Sequence, residues 1–217
     1  MFKFTLRETQ KPFEFLTFLN VKTYMETASN KNRTTLDINV KAPAFDLIDI
    51  YDRPTNLNDF KDKKVFLAFF RHTGCPFCNL RVHFLQKYHL ELKEKGLEMI
   101  FFFESFKKEL LSSSFHREIS PIPLLSDAEK VWYATYGIES SAAKSAKSHL
   151  TSFIQTAIRA KMNGLPMHTM SEKESIKTMP AEFLIDEKGI IRKIHYSNGL
   201  NDRMSIDHIL NFANETN

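Results

Sequence analysis

The sequence predicts an α/β protein built as a three-layer α/β/α sandwich, with helices on both faces of a central sheet. Two almost unbroken apolar runs, residues 65–70 and 97–103, are typical of strands buried on both faces. Segments whose apolar residues recur at helical spacing follow these runs. This alternation of buried strand and amphipathic helix predicts a mainly parallel sheet that is covered on both sides.

An N-terminal helical extension and linker is predicted for residues 1–40, ahead of one main domain at residues 41–217. Phenylalanine and leucine lie at helical spacing near residues 15–19, and the polar run at 29–33 is typical of a linker. The main domain then begins with a strand at residues 45–50, where apolar and polar residues alternate. A turn and a short helix or turn lead to the first buried strand.

The middle of the chain places a strand, a turn with two cysteines and a helix directly one after another. The strand at residues 65–70 is predicted to be central, and the helix that follows Cys78 is predicted to end at Gly96. The second buried strand comes next. A capping box at residues 126–129 then predicts the start of a further helix.

A helical insertion is predicted at about residues 138–175, with its helix at residues 140–163. The apolar positions on one face of this helix are Ala143, Ala146, Leu150, Phe153, Ile154, Ala157 and Ile158. We expect this stripe to pack against the sheet. The alternatives are that it covers a binding site, forms a homodimer or contacts a membrane.

The last segments are predicted to be a β-hairpin and a closing helix. The strands of the hairpin are residues 181–185 and 190–196, joined by a turn that ends in Gly189. The closing helix is predicted at residues 205–212.

Composition and charge bear on the partners and the location of the protein. Lys and Arg total 30 against 26 Asp and Glu, a net charge of +4, and the basic residues are scattered, so we expect no nucleic-acid partner. The sequence contains no apolar run of the length that crosses a bilayer, and residues 1–20 lack the continuous apolar stretch of an export signal. We therefore expect no membrane partner and a cytoplasmic location.

Both cysteines of the chain lie in the segment Cys75-Pro76-Phe77-Cys78. A single close pair closes too short a loop to constrain the unfolded chain much, so the pair is predicted to be chemical rather than structural. Where a strand passes into a helix, unpaired backbone N–H groups favour the thiolate, which makes Cys75 the predicted nucleophile. Cys78, one turn further on, is predicted to resolve the resulting mixed disulfide. Pro76 suits the first helical turn, and Phe77 is predicted to offer the substrate an apolar contact.

Three segments carry a resemblance to a known family: Lys-Ala-Pro-Ala-Phe-Asp-Leu at residues 41–47, Arg-His-Thr-Gly-Cys-Pro-Phe-Cys at 71–78, and Phe-Leu-Ile-Asp-Glu-Lys-Gly at 183–189. They resemble the peroxiredoxin-like AhpC/TSA (redoxin) branch of the thioredoxin superfamily, over roughly residues 40–200. The resemblance implies a thioredoxin-like sandwich and a thiol-dependent, antioxidant type of redox chemistry, and we expect no cofactor and no metal.

The resemblance also assigns roles around the cysteines. Pro180, just before a strand, is implied to be the cis proline that faces the active cysteines, and with Met179 it is predicted to shape the substrate groove. Peroxiredoxins carry a Thr three residues before the reactive Cys and an Arg just before the later strand. Here His72 and Pro180 stand at those positions, so the sequence favours dithiol exchange over peroxide reduction.

The predicted function is therefore thiol–disulfide exchange with a disulfide or thiol protein, regenerated by an external thiol reductant. One alternative is a peroxidase in which a hydroperoxide oxidises Cys75 to a sulfenic acid and Cys78 condenses with it. The other is a non-catalytic binding domain that keeps the fold without a working redox couple.

Nearby residues have two interpretations each. His72 is expected either to tune the thiolate and relay protons or to be an exposed loop residue. Arg71 is expected either to steady the thiolate or to pair with a surface carboxylate. For the cysteines themselves, zinc binding with His72 and His83, or a plain structural role, stays open.

Overall fold

The computed structural model describes residues 35–171 and 173–215, so most of the predicted N-terminal extension at residues 1–40 lies outside the described residues. In chain order the strands are β1 (Asp46–Ile48), β2 (Pro54–Asn56), β3 (Lys64–Phe69), β4 (Leu97–Phe103), β5 (Leu124–Ser126), β6 (Ala181–Ile185) and β7 (Ile191–Tyr196). Strands β1 and β2 form a small antiparallel pair. The other five form one sheet in the order β5-β4-β3-β6-β7, so β3 is central as predicted.

The five-stranded sheet is mixed, so the prediction of a mainly parallel sheet is wrong. The pairs β3–β4 and β4–β5 are parallel, whereas β6 lies antiparallel to both β3 and β7. The predicted hairpin accounts for the β6–β7 pair, because two strands joined by a tight turn must run in opposite directions. The antiparallel pairing of β6 with β3 was not predicted. The short strand β5 was not visible as a strand pattern in the sequence.

In the described part of the chain, seven α-helices flank the sheet, and a short 3-10 helix lies at Leu57–Phe60. The α-helices are α1 (Pro76–Gln86), α2 (His89–Glu94), α3 (Lys107–Ser112), α4 (Ser114–Arg117), α5 (Val131–Thr135), α6 (Ala142–Met162) and α7 (Ile206–Asn214). The predicted helix after Cys78 is thus two helices, and Gly96 follows the second one with a φ of +79°, a conformation that suits glycine.

Burial on both faces of the sheet explains the apolar runs. Successive side chains of a strand point to opposite faces, so Phe66 and Ala68 join one buried cluster, whereas Leu67 and Phe69 join the other. The first cluster includes residues of α1 and α7, and the second includes Tyr133 of α5. The three-layer α/β/α class is therefore confirmed, and the cysteines belong to the first cluster.

The N-terminus of α5 differs from the predicted capping box. Ser126 lies in β5, where its hydroxyl donates to a backbone carbonyl. The carboxylate of Asp127 instead accepts hydrogen bonds from the backbone N–H groups of Val131, Trp132 and Tyr133, at 3.0, 2.8 and 3.1 Å. The N-cap residue is Lys130, four residues later than predicted, and the side chain of Asp127 satisfies three N–H groups that have no partner inside the helix.

Helix α6 buries the opposite face from the one predicted. Its buried residues are Ser145, Ser148, Thr156 and Ala160, and it packs against α1. Backbone partners satisfy the hydroxyls: Ser145 donates to the Ile176 carbonyl at 2.6 Å, and Ser148 accepts from the Leu200 N–H at 2.9 Å. The prediction that the apolar stripe packs against the sheet is wrong, and Leu150 remains 89% exposed. No helix among the described residues is long and apolar enough to cross a membrane.

Candidate active site

Both cysteines lie at the junction between β3 and α1. Cys75 is the N-cap residue of α1, Pro76 takes the first helical position, and Cys78 lies in the first turn. Both side chains are free thiols, with Cys75 1% exposed and Cys78 fully buried. A proline fits this position because the N–H that it lacks has no partner inside the helix.

The turn that carries the cysteines is fixed from two sides. The buried amide of Asn79 donates to the carbonyls of Thr73 and Pro166, at 2.7 and 2.8 Å. Gly74 lies against the segment that follows α6, and a Cβ at this position would come within 2.3 Å of the His168 carbonyl oxygen. The residue must therefore be glycine for the backbones to approach this closely.

An arginine lies beside each sulfur. The guanidinium of Arg71 is buried, with Nη1 3.6 Å from Cys75 Sγ and Nη2 donating to the Ile176 carbonyl at 2.9 Å. The expected alternative, in which Arg71 pairs with a surface carboxylate, is therefore wrong. On the other side, Arg203 Nη2 lies 4.0 Å from Cys78 Sγ.

The two thiols have opposite pKa shifts. Burial opposes ionisation of Cys75, but the hydrogen bond from the Cys78 thiol and the charge of Arg71 outweigh it and lower the pKa of Cys75 to about 6. For Cys78, burial and then the hydrogen bond to Cys75 raise the pKa well above its ordinary value. At pH 7 the pair therefore holds one thiolate, on Cys75, and one thiol, on Cys78.

His72 is buried rather than exposed. Burial, followed by the charge of Arg71, lowers its pKa to about 3, so the ring is neutral at pH 7. Its Nδ1 lies 3.9 Å from the carboxylate of Glu174. The predicted titration of His72 near neutral pH is wrong, and so is the alternative of an exposed loop residue.

A cavity of about 750 Å³ opens beside Cys75. The turn with the cysteines, including Arg71, His72 and Pro76, forms one side of it, and α6 with the segment after it forms the other. The apolar residues of that second side are Phe153, Ala157, Met167, Met170 and Ile176. A substrate that reaches Cys75 through this cavity meets a largely apolar surface.

The other predicted substrate-binding residues do not line this cavity. Phe77 is buried against α6, with its ring edge-on to that of His149 at 5.7 Å between centroids. Met179 and Pro180 are buried as well. A direct substrate contact for these three residues stays a prediction.

The prediction that Pro180 follows a cis peptide bond is wrong. In the described residues the cis bond is Ser120–Pro121, and Met179–Pro180 is not among the cis bonds. The chain is already extended at this point: the Met179 N–H donates to the Glu139 carbonyl at 2.9 Å, and the Pro180 carbonyl accepts from Ser197 at 3.1 Å. A trans bond continues that extended segment directly into β6.

One neighbour of the cysteines, Arg203, and one buried carboxylate, Glu104, were missed in the sequence. Arg203 has no local pattern that links it to Cys78, because β7 and α7 bring it there from far along the chain. Glu104 is buried at the end of β4 and accepts from Lys130, from the Ser175 N–H and from the Thr178 hydroxyl, at 2.9, 3.0 and 2.6 Å. A charged residue directly after a buried strand was the available signal for Glu104.

Among the described residues, no group of three or more His, Cys, Asp or Glu side chains is arranged to hold a metal ion. The cysteines, His72 and His83 of the zinc hypothesis therefore do not form such a group.

Comparisons with known proteins agree with this geometry. Residues 38–194, more than half of the chain, match a model of the AhpC/TSA family. A stretch of 65 residues is 35% identical to the thiol-disulfide oxidoreductase ResA of Bacillus thuringiensis and covers 30% of this chain and 37% of that protein. The match thus spans little more than a third of the length of this curated relative.

Solved structures support the fold. A thiol peroxidase from Chromobacterium violaceum aligns with a TM-score of 0.55 at 16% identity, over 82% of this chain and 86% of that one. The peroxidoxin BcpB from Mycobacterium tuberculosis aligns with a TM-score of 0.57 at 15% identity, over 82% and 96% of the two chains. At such identities the likeness establishes the thioredoxin-like sandwich and nothing finer.

Proposed function

The chain belongs to the AhpC/TSA family, and from that premise we propose that it is a thiol–disulfide oxidoreductase in which Cys75 attacks and Cys78 resolves. One observation carries this proposal: the two sulfurs lie one helical turn apart with pKa values shifted in opposite directions. The ionised one, Cys75, also lines the cavity. Two-step exchange needs a thiolate at the edge of a substrate cavity and a second thiol that stays protonated until the mixed disulfide has formed.

The first step uses the Cys75 thiolate. Its Sγ attacks one sulfur of the substrate disulfide, an S–S bond forms between Cys75 and that half of the substrate, and the other half leaves as a thiolate. The guanidinium of Arg71 keeps the Cys75 sulfur anionic before the attack. The thiolate fraction at pH 7 is high because the pKa of Cys75 is about 6.

The second step requires Cys78 to lose its proton. The hydrogen bond to Cys75 and the negative charge of Cys75 both raise the pKa of Cys78, after burial. These two causes vanish once Cys75 is part of a mixed disulfide, so Cys78 ionises more easily when it must react. Its sulfur then attacks Cys75 Sγ, the Cys75–Cys78 bond forms, and the remaining half of the substrate leaves and takes up the proton.

One turnover transfers two electrons from the protein dithiol to the substrate disulfide. The oxidised protein then holds a Cys75–Cys78 disulfide, and an external thiol reductant must restore the dithiol by the same exchange in reverse.

A hydroperoxide reductase is the second candidate, and the position of Arg71 favours it. Peroxiredoxins use an arginine to polarise the peroxide, and here a guanidinium lies 3.6 Å from Cys75 Sγ although Pro180 stands at the family's arginine position. The Cys75 thiolate would attack the terminal peroxide oxygen, the O–O bond would break, and the departing alkoxide or hydroxide would take a proton from solvent. The Cys75 sulfenic acid would then condense with the Cys78 thiol to a disulfide and water.

A direct comparison of substrates tests the proposal. The fully reduced protein is mixed with hydrogen peroxide and, separately, with a peptide disulfide, and oxidation of Cys75 is followed by acid quenching and mass spectrometry. We expect the disulfide to react faster, Cys75→Ser to abolish both reactions, and Cys78→Ser to stop at the mixed disulfide.

Faster oxidation by peroxide would favour the peroxidase instead. A pKa near 8.5 for Cys75, together with no disulfide after mild oxidation, would leave only the non-catalytic binding domain.

A further inference from the structure

Exposed apolar residues are concentrated on α6 and in the segment after it, which together form one side of the Cys75 cavity. The large apolar side chains that are exposed in the described residues are Ile38, Val40, Ile48, Leu90, Leu150, Phe153, Ile154, Ile158, Met162, Met167, Met170 and Ile176. Eight of these twelve lie on α6 or in the segment after it. We call these eight residues the α6 surface. Four of the eight, Phe153, Met167, Met170 and Ile176, line the Cys75 cavity. Large exposed apolar areas mark interaction sites.

The α6 surface exists because of how α6 packs. The helix buries small polar residues, such as Ser145 and Ser148. As a result, Leu150, Ile154 and Ile158 lie on its exposed side. These three lie three or four residues apart, so they form one stripe along the helix. Folding alone gains nothing from leaving such a stripe in water.

The charged residues at both ends of this stripe are lysines. Lys147 lies one turn before Leu150, and Lys161 lies one turn after Ile158, so both lysines extend the same stripe. Both are exposed, and within the described residues neither makes an ion pair. Helix α6 contains no Asp or Glu. A partner that covers the stripe is therefore favoured if it carries acidic residues at the edges of an apolar segment.

We propose that the α6 surface binds a polypeptide substrate whose disulfide enters the Cys75 cavity, with apolar side chains beside the disulfide on α6 and acidic ones near Lys147 and Lys161. This inference rests on the proposed exchange reaction and names its substrate class. Phe153 joins the two parts of the site, because it lines the cavity and belongs to the exposed surface.

Size favours a polypeptide over a small disulfide. From Leu150 to Met162 the stripe extends for about 18 Å along the helix, beyond the reach of a small molecule already seated at Cys75. Continuity with the cavity favours a substrate over a lipid surface or a second copy of this chain, because neither of those brings a disulfide to Cys75.

The test compares two peptides of equal length, each with one internal disulfide. In the first peptide Leu and Phe flank the cysteines and Asp lies further out, whereas in the second Ser and Asn replace Leu and Phe. Hydroxyethyl disulfide serves as the small reference. Each rate constant with the reduced protein is divided by the rate constant of the same disulfide with dithiothreitol, which removes differences in intrinsic reactivity.

We expect the protein to prefer the apolar peptide by about tenfold, which corresponds to about 1.4 kcal/mol. Replacing two exposed residues, Ile154→Ser with Ile158→Ser, should remove most of that preference. The matched control is Leu90→Ser, since Leu90 is 72% exposed on α2 and Ile154 is 74% exposed on α6. This control should keep the preference.

Equal rates for the two peptides would overturn the proposal, as would a preference that survives the double substitution. If the double variant keeps the preference but no longer binds phosphatidylglycerol vesicles, or no longer dimerises in sedimentation equilibrium, the surface serves a membrane or a second copy and the proposal is wrong. Failure of all three disulfides to oxidise Cys75 would contradict the exchange reaction itself.

Discussion

Cys75 and Cys78 differ in charge although they share one helical turn. The thiol of Cys78 donates to the thiolate of Cys75, so the pair retains a single proton and keeps it on Cys78. Arg71 lies on the Cys75 side and Arg203 on the Cys78 side. Arg71 can therefore be tested through the attack by Cys75, and Arg203 through the resolving step of Cys78.

The pH dependence of alkylation tests the environment of Cys75. The thiolate is the reactive form and the pKa is about 6, so the rate with iodoacetamide should be flat above pH 7 and fall about tenfold per pH unit below pH 6. Arg71→Gln removes the nearest charge and should raise the midpoint by about one pH unit, with Arg71→Lys in between. Modification at Cys75 is followed by mass spectrometry, and an unchanged midpoint in Arg71→Gln would show that this charge does not matter.

A second prediction concerns Arg203 as a positioning residue for the resolving step. Arg203→Gln should slow the attack of Cys78 on a preformed mixed disulfide at Cys75 by about tenfold at pH 7, because the Cys78 thiolate loses a nearby cation. The rate of release of the bound thiol is measured from pH 6 to 9, and its pH profile should also shift to higher pH. Arg203→Lys should restore part of the rate, whereas a purely structural role would leave the pH profile in place.

At the scale of elements, a buried ion pair joins α1 to β6. Arg81 forms two hydrogen bonds to the Glu182 carboxylate, at 2.8 and 2.9 Å, and a third to the Met204 carbonyl at 2.8 Å. The Met204 N–H donates back to Glu182 at 2.9 Å. The pair thereby fixes the helix that carries the cysteines to the sheet and to the loop before α7.

Glu182→Ala should lower the free energy of unfolding by about 3 to 5 kcal/mol, because it leaves the charge of Arg81 buried without a partner. Urea denaturation measures the loss. The double variant Arg81→Met with Glu182→Leu should lose less than Glu182→Ala alone, since neither charge remains. A loss below about 1 kcal/mol for Glu182→Ala would mean that water reaches Arg81.

The elements that the sequence predicted well are those with a strong local pattern. The apolar runs gave β3 and β4, the tight turn gave the β6–β7 hairpin, and helical spacing gave α6 to within two residues at each end. Periodicity shows which residues share a face of a helix. It does not show which face is buried. In α6 the buried face carries serines whose hydroxyls form hydrogen bonds with backbone groups from distant segments, and the sequence does not reveal those partners.

The site divides in the same way. The cysteines and Pro76 could be placed from the motif, because their geometry follows from one helix N-terminus. Arg203 could not, because it reaches its place through contacts between distant segments. The cis form of Pro180 was carried over from the resemblance, and no residue pattern in the chain tests whether an X–Pro bond is cis.

For the whole molecule, two buried clusters enclose the sheet, and ionisable groups inside them link stability to pH. His116 is fully buried, with its ring edge-on to Phe103 at 5.0 Å and its Nδ1 2.8 Å from the Ser113 hydroxyl. Burial lowers its pKa from 6.5 to about 3. Between these two values the unfolded chain binds a proton that the folded protein does not.

Stability should therefore fall as the pH drops below 6.5, with His116 contributing up to about 1.4 kcal/mol per pH unit until about pH 3. In His116→Asn this side chain cannot titrate. The free energy of unfolding of the variant should therefore change less per pH unit, by up to about 1.4 kcal/mol. Urea titrations of both proteins at pH 4, 5, 6 and 7 provide the comparison. Parallel curves would mean that His116 titrates normally in the folded state.

The redox balance is also a property of the whole molecule. A stabilised thiolate favours the reduced form, so the couple should be more oxidising than that of a dithiol protein with an ordinary thiol. With a Cys75 pKa of about 6, we expect a potential between about −270 and −120 mV, the values of dithiol proteins with nucleophile pKa values of about 7 and 3.5. Equilibration with glutathione buffers measures it, and Arg71→Gln should make it more negative.

The outward stripe of α6 has a calorimetric consequence. Water that contacts Leu150, Ile154 and Ile158 is released when any molecule covers them, and the release of water from apolar groups lowers the heat capacity of the system. Association at this helix should thus become more exothermic with each degree of warming, whatever the enthalpy at one temperature. The slope of the binding enthalpy against temperature reports how much apolar surface of the helix is buried on binding.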